Sequence, residues 1–364
     1  MKLFAGKWYG IVSVAEICRA ADLSNGVFYR YFRNKEALFR RILGQVLDMI
    51  REAVERPQGA TPRERLRWFV DAIVAFSAAH ADLVSVFREG QYRFFEFEHR
   101  LVEVYMRGLG AALGREAGLP EYLFCLGGVR FCAVRRALQS VAVSVEDLHG
   151  IIWSGLFRGA PCDAARVFGG SAVPLPVALE EGARERLLRS GKRLFGEKGY
   201  FETNIHEVTG GAGLSVGAFY TYFDSKETFY AEVIRLVSHE VRSFIARNLA
   251  ADGAPPLNRL EREMRGLWLW IVYLSIDRHC YPIVREAEFV LPAAVKEYYG
   301  AFEEGYRKNP EGNGDADQGT AIEFLLGVAH YFGIEVAFEG SPGNARAAIE
   351  AIGRLLAGGF SSWL

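Results

Sequence analysis

The residues best suited to chemistry fall in two similar stretches, LSNGVFYRYFRNKEALF at 23–39 and LSVGAFYTYFDSKETFY at 214–230, which align without a gap at an offset of 191. Each carries a serine, a pair of tyrosines two apart, and a lysine just after a residue able to cap a helix, Asn34 or Ser225. A lysine in the first turn of a helix opposes the macrodipole. An outside anion such as a DNA phosphate would explain one at both places.

Other chemistries find little footing. His80, His99, His279 and His330 do not recur at helical spacing with other ligand types, Glu98-His99 and Asp277-His279 are merely near neighbours, and no nucleophile, base and acid set can be assembled. Residues 210–217 look superficially like a phosphate-cradling loop, yet no strand precedes them and no lysine follows the last glycine. Cys18, Cys125, Cys132, Cys162 and Cys280 form no CxxC pair and read as reduced packing residues. The expectation is a protein that is not an enzyme and takes no metal or cofactor.

Positioning the two stretches requires paired short helices. Residues 15–21 and 207–212 read as a first helix, and 25–32 and 216–223 as a second, joined by a turn whose left-handed residue is Asp22 in one copy and Gly213 in the other. Ser24 and Ser215 stand where a hydroxyl caps the second helix. Ile17, Ala21, Leu23 and Phe28, matched by Val208, Ala212, Leu214 and Phe219, are expected to form the apolar cluster that sets the angle between the helices. Such a pair can lay its second helix in a major groove.

The repeat reaches beyond the motif. Leu3, Phe4, Lys7 and Tyr9 face Leu194, Phe195, Lys198 and Tyr200; at an offset of 197, Arg88-Glu89 meets Arg285-Glu286; at 200, Leu126-Gly127 meets Leu326-Gly327. An entire subunit is therefore duplicated. Residues 158–182, with Gly169-Gly170, Pro174 and Pro176, have little helical periodicity and read as a linker, which if extended would reach ~60 Å. Apolar spacing elsewhere is helical, as in Leu66, Phe69, Val70, Ile73, Val74 and Ser77 on one stripe, and the fold class is all-α.

Composition agrees. The 364 residues, half hydrophobic and a quarter charged with a net charge of −1, suit an ordinary soluble protein with two or more cores. The longest apolar run, residues 267–276, is about half of the ~20 residues a membrane span needs and reads as a core helix. No export signal is visible in MKLFAGKWYG, so a cytoplasmic protein with no membrane partner is expected.

The pattern L-S-x-G-x-F-Y-x-Y-F-x-x-K-E resembles the DNA-binding signature of the tetracycline-repressor (TetR) family, and the helical remainder of each copy matches the length of that family's sensing and dimerising domain. The resemblance implies a tandem chain: helix-turn-helix domains at 1–44 and 183–234, ligand-binding and dimerisation domains at 45–157 and 235–364, and the linker between. It places Asn25, Gly26, Val27 and Arg30 toward bases and Tyr29, Tyr31 and Lys35 toward phosphates in copy one. In copy two Val216, Gly217, Ala218 and Thr221 face bases, and Tyr220, Tyr222 and Lys226 face phosphates. Ser13, Asn204, Ser24 and Ser215 are further contacts, and His206 reaches a base edge where copy one has Ala15.

The two sets differ chemically. Arg30 suits a guanine and Asn25 an adenine, whereas Val216 and Ala218 offer only apolar contact, so an operator with unlike halves is expected. Residues 1–43 hold eight Lys or Arg and three acids, a net of +5; residues 192–234 hold four and six, a net of −2. Copy one should therefore carry more of the salt-dependent binding. Against that, its first helix begins only at Met1, about two turns short of its counterpart at 185–198, and Trp8 replaces the closing Gly199, so that either the natural chain starts upstream of this Met or the first head lacks part of the helix that buttresses its reading helix.

For sensing, the resemblance implies an apolar or aromatic effector held among middle helices, with Trp68, Gln91, Tyr92 and Phe95 in copy one and Trp268, Tyr273, Arg285, Glu288 and Phe289 in copy two as candidate lining. Residues 122–143 with 145–156, and 319–338 with 345–356, would pair the copies in a bundle, and Gly127, Gly128 and Gly327 would let backbones approach. The function expected is that of a sequence-specific transcription regulator, a repressor released from a double-stranded operator by a small apolar effector and acting as a covalent pseudo-dimer, with further self-association left open. The competing reading is a TetR-like binding or interaction module that has lost productive DNA recognition.

Overall fold

The computed structural model describes residues 2–175, 182–249, 256–308, 318–339 and 345–363. Among them every regular element is helical, and the all-α fold stands. The chain divides into two compact units, one of residues 1–156, 315–328 and 358–364, the other of residues 157–314 and 329–357.

In the first unit the helix Pro62–Ala79 starts at Thr61, whose hydroxyl and Glu64 form a reciprocal capping box ahead of a proline in the first turn. It buries Leu66, Phe69, Val70, Ile73, Val74 and Ser77, the stripe read from spacing alone. The helix Leu119–Tyr122 continues through a π-helical turn, Leu123–Gly127, into Gly128–Gln139, and stops at the left-handed Ser140, a little before the expected residue 143.

Gly128 and Gly327 mark a close approach within this unit. A Cβ on Gly128 would sit 2.2 Å from the Phe324 ring, and one on Gly327 would sit 2.6 Å from the Gly127 carbonyl oxygen. Beside this crossing Arg135 and Glu323 form a buried ion pair, Nε to Oε2 2.9 Å, and the Ser144 amide donates to the Thr320 hydroxyl at 2.9 Å. Residues 318–328 thus share an interior with the Gly128–Gln139 helix.

In the second unit Asn258 and Glu261 cap the helix Arg259–Ile276, which carries the longest apolar run and buries Leu267, Leu269, Trp270, Ile271, Tyr273 and Leu274. No single helix among the described residues is long and apolar enough to cross a membrane.

The first part of the expected linker is built into this unit rather than extended. It contains a helix, Ala164–Phe168, whose terminal carbonyls at Val167 and Gly169 accept from the Arg265 guanidinium at 3.1 and 2.8 Å. Arg166 pairs with Glu261 at 2.9 Å, and the Asn248 amide both accepts from the Val173 N–H at 2.6 Å and donates to its carbonyl at 3.0 Å. Periodicity missed this because five residues are too few to show a stripe; the partners that hold them lie about a hundred positions away. Residues 176–181 of the linker lie outside the described residues.

The glycine crossing is testable. Gly128→Val should lower stability by about 2 kcal/mol or more through overpacking against Phe324, read as the urea midpoint of the full chain.

Candidate nucleic-acid interface

Each head is built on an aromatic seat. In copy one the rings of Phe4, Tyr9 and Phe39 meet at centroid distances of 4.7 to 6.0 Å; in copy two Phe195, Tyr200 and Tyr230 meet at 4.6 to 6.0 Å. Lys35 lies 4.3 Å over the Tyr9 ring, and Lys226 lies 4.3 Å over the Tyr200 ring. The duplication read from sequence therefore extends to side-chain packing.

The paired helices form where expected. Val14–Ala20 and Ile205–Gly211 are the first helices, each opened by a reciprocal capping box, Ser13 with Glu16 and Asn204 with Glu207. Lys7 holds Glu16 at 2.8 Å and Lys198 holds Glu207. Lys7, with the Ser13 hydrogen bonds, keeps the Glu16 carboxyl down at about 2. The turn is left-handed at Asp22 (φ 54°) and Gly213 (φ 65°), the residues the sequence offered for it.

The second helices, Asn25–Tyr31 and Val216–Tyr222, are capped by Ser24 and Ser215, whose hydroxyls accept from Val27 at 3.4 Å and Ala218 at 3.2 Å. Phe28 and Phe219 point inward. Tyr29, Tyr31, Tyr220 and Tyr222 are 57, 74, 56 and 46% exposed, so these rings are not part of the core. Asn25, Gly26, Arg30, Gly217, Thr221, Ser13, Asn204 and His206 are exposed as well, and Val27, Val216 and Ala218 half-buried.

Two features depart from expectation. Lys35 does not wait for an outside anion: its ammonium donates to the carbonyls of Tyr9, Gly10 and Val12 at 2.7, 3.3 and 2.6 Å. Those oxygens, with the ring, compensate a lysine at a helix start, and burial lowers its pKa. Burial also lowers that of Lys226.

The second departure concerns the clusters beneath the turns. Val208, Ala212 and Phe219 are buried, but of the matching set in copy one only Phe28 is; Leu23 is 51% exposed and Ala21 exposed. In copy two the cluster lies beneath Ala183–Lys198, which buries Leu187, Leu188, Ser190 and Gly191.

The candidate lining residues separate. Gln91 is buried and its side-chain oxygen accepts from Arg130 at 2.7 Å, while Arg130 also pairs with Glu98 at 2.8 Å. The Gln91 Nε2 is buried without a hydrogen-bond partner among the described residues. Arg285 and Glu288 pair at 2.7 Å, with Phe289 5.9 Å from the guanidinium and Tyr299 donating toward Glu288 at 3.4 Å. Tyr273 belongs instead to a cluster with Lys192, Glu240 and Asp277, and Trp268 packs against Phe168 and Arg346. Trp68, Tyr92 and Phe95 are half-buried. Sequence reading passed over Arg130 and Glu98, because a buried charge pair has no local signature.

It also passed over Glu89 and Glu286, although the repeat at offset 197 contains both. Glu89 accepts from the Tyr9 amide at 2.6 Å, and Glu286 accepts from the Tyr200 amide at 2.6 Å. Burial pushes the Glu89 carboxyl up to about 7 against the opposing pull of the Tyr9 amide, Arg93 and Lys35.

Three outcomes follow. Asn204→Ala should cost about 1 kcal/mol by loss of the cap, while Leu23→Ser should change stability by less than about 0.5 kcal/mol, both from denaturant titration. Because the folded pKa of Glu89 lies above its unfolded value, its contribution is fully present below about pH 4.5 and is lost as pH rises through about 7. Glu89→Gln should remove that slope, so that the variant matches the parent at pH 5 and exceeds it at pH 8.

The family model for bacterial regulatory proteins of the tetR family matches residues 1–42 and 187–233. The chain is 31% identical over 78 residues to the HTH-type transcriptional repressor DhaR of Mycobacterium sp. (strain GP1), an alignment covering 21% of this chain and 39% of that protein. It therefore spans well under half the length of that relative. The uncharacterized HTH-type transcriptional regulator YdgC of Bacillus subtilis (strain 168) aligns at 24% over 184 residues, 48% of this chain and 92% of that protein. The HTH-type transcriptional regulator HbdR of Aromatoleum sp. (strain CIB) aligns at 29% over 147 residues, 36% of this chain and 62% of that protein. Among solved structures, the fatty acid degradation regulator FadR from Bacillus halodurans is matched over 50% of this chain and 98% of that one, at 16% identity and a TM-score of 0.40.

Proposed function

We propose that this chain is a cytoplasmic, sequence-specific transcription regulator in which two TetR-like subunits are fused as a covalent pseudo-dimer, a repressor released by a small apolar effector. The observation that carries the reading is the paired geometry of the heads: two capped reading helices on equivalent aromatic seats, each turning its tyrosines outward. The two separate matches to the tetR-family model support it, as does a relative almost wholly covered by half of this chain. The domains are those of the tandem reading, with heads at 1–44 and 183–234.

The glycine crossing and the Arg135–Glu323 pair support the pseudo-dimer, since both join helices of the first copy to residues 318–328 of the second. Fusion raises the effective concentration of one head near the other to roughly millimolar, so DNA binding needs no separate association step.

On the reading surfaces, Ser13, Ser24, Tyr29 and Tyr31, with Asn204, Ser215, Tyr220 and Tyr222, hold phosphates. Lys35 and Lys226 contribute charge from behind. Asn25, Gly26, Val27 and Arg30 read one half-site, while His206, Val216, Gly217, Ala218 and Thr221 read the other. Arg30 and Asn25 hydrogen-bond purines where Val216 and Ala218 meet thymine methyls, and the operator is asymmetric. The effector carries an oxygen acceptor that meets the buried Gln91 Nε2.

A selection from randomised duplex DNA tests this. The full chain should enrich a site with two unlike halves, bound with strong salt dependence. Arg30→Ala should weaken binding by about 1–3 kcal/mol and relax one half only. A perfect inverted repeat, equally sensitive in both halves, would refute the asymmetric operator. Weak binding without enrichment would favour the module without productive recognition.

A further inference from the structure

The loop that leads into each helix-turn-helix is held by a side chain from far along the chain. In copy one this loop is a single helical turn, Tyr9–Ile11, followed by Val12 and the cap Ser13. The Tyr9 amide follows the short helix Lys2–Gly6, and it donates to the carboxylate of Glu89 on the helix Ala81–Arg93. In copy two the Tyr200 amide, just past the helix Ala183–Lys198, donates in the same way to Glu286 on Cys280–Val290.

The two contacts are equal in length, and the residues involved are separated by 80 and 86 positions. Tyr9, Glu89 and Tyr200 are buried, as is Glu286. A carboxylate accepting a backbone amide makes a charge-assisted bond, shorter and stronger than a neutral one. In copy one the same loop is also gripped by the Lys35 ammonium, on the carbonyls of Tyr9, Gly10 and Val12. From Tyr9 to the cap residue Ser13 is four positions, and from Tyr200 to Asn204 also four, so a shift of the loop reaches the first helix directly.

Resting on the regulator reading above, we propose that Glu89 and Glu286 are positioning residues that couple the sensing helices Ala81–Arg93 and Cys280–Val290 to the orientation of the reading helices. When the sensing helix moves, its carboxylate carries the amide with it, and the capped helix-turn-helix follows. The charge on Glu89 is held between Arg93 on its own helix and Lys35 on the neighbouring one, and its titration close to neutrality leaves this contact easily weakened.

The test uses the full chain with Glu89→Ala, Glu89→Gln, Glu286→Ala and Glu286→Gln, read by amide hydrogen exchange and by affinity for duplexes selected with the parent protein. Glu89→Ala should raise exchange in residues 9–31 at least tenfold and leave 200–222 unchanged, with a roughly tenfold loss of affinity. Glu286→Ala should do the reverse. The Gln variants keep an acceptor oxygen and should stay within threefold of the parent at pH 7.

Should Glu89→Ala unfold the unit, the pH profile decides. In the parent, protection of the 9–12 loop, corrected for intrinsic exchange, should rise through about pH 7 as the carboxylate ionises, and in Glu89→Gln it should be flat. Unchanged loop exchange in the Ala variants, or parallel pH profiles in parent and Gln, overturns the coupling even where DNA is bound. Absence of any selected duplex alongside the expected exchange changes strikes the regulator reading instead.

Discussion

A helix of seven residues does not hold itself in water, where isolated helices shorter than about 12–15 residues are marginal. All four helices of the two reading motifs have that length: Val14–Ala20, Asn25–Tyr31, Ile205–Gly211 and Val216–Tyr222. Their existence and their angle must be imposed from outside, and much of each head serves that purpose. Serine and asparagine caps supply the end groups, Phe28 and Phe219 anchor the inner face, and the tyrosine seat with its lysine holds the entry loop. With stability provided from below, the outer face has no structural duty. Arg30 and Thr221, or Asn25 and Val216, occupy equivalent positions on equivalent helices with different chemistry.

Most of this was legible in residue order because its causes are local. A capping box needs residues three apart, a left-handed turn needs Asp or Gly at one place, and the stripe on Pro62–Ala79 repeats at helical spacing. Gly128 and Gly327 were legible for a different reason: duplicated small residues on expected pairing helices are informative when an element has to meet its own copy.

What was not legible depends on partners distant in sequence. Lys35 looked like an anion site because the three carbonyls that satisfy it precede it by more than twenty residues. Leu23 looked like core from the repeat alone, yet it is 51% exposed. Arg130 with Glu98 and Glu89 with the Tyr9 amide leave no local mark, since a buried acid and an exposed one are written with the same letter. The linker is the same case, read as a tether until Arg265 and Asn248 are placed against it.

The membership of the first compact unit bears on how the protein is made. Its interior includes residues 318–328 around the Gly128–Gln139 helix laid down long before, with Arg135 and Glu323 separated by 188 positions. Domains ordinarily fold as they leave the ribosome, the earlier ones first. Here the first unit must remain without part of its core until residues 318–328 have been made, with the delay that such long-range contacts impose. A chain that stops before residue 318 therefore leaves the core of this unit incomplete, however well its earlier helices have formed.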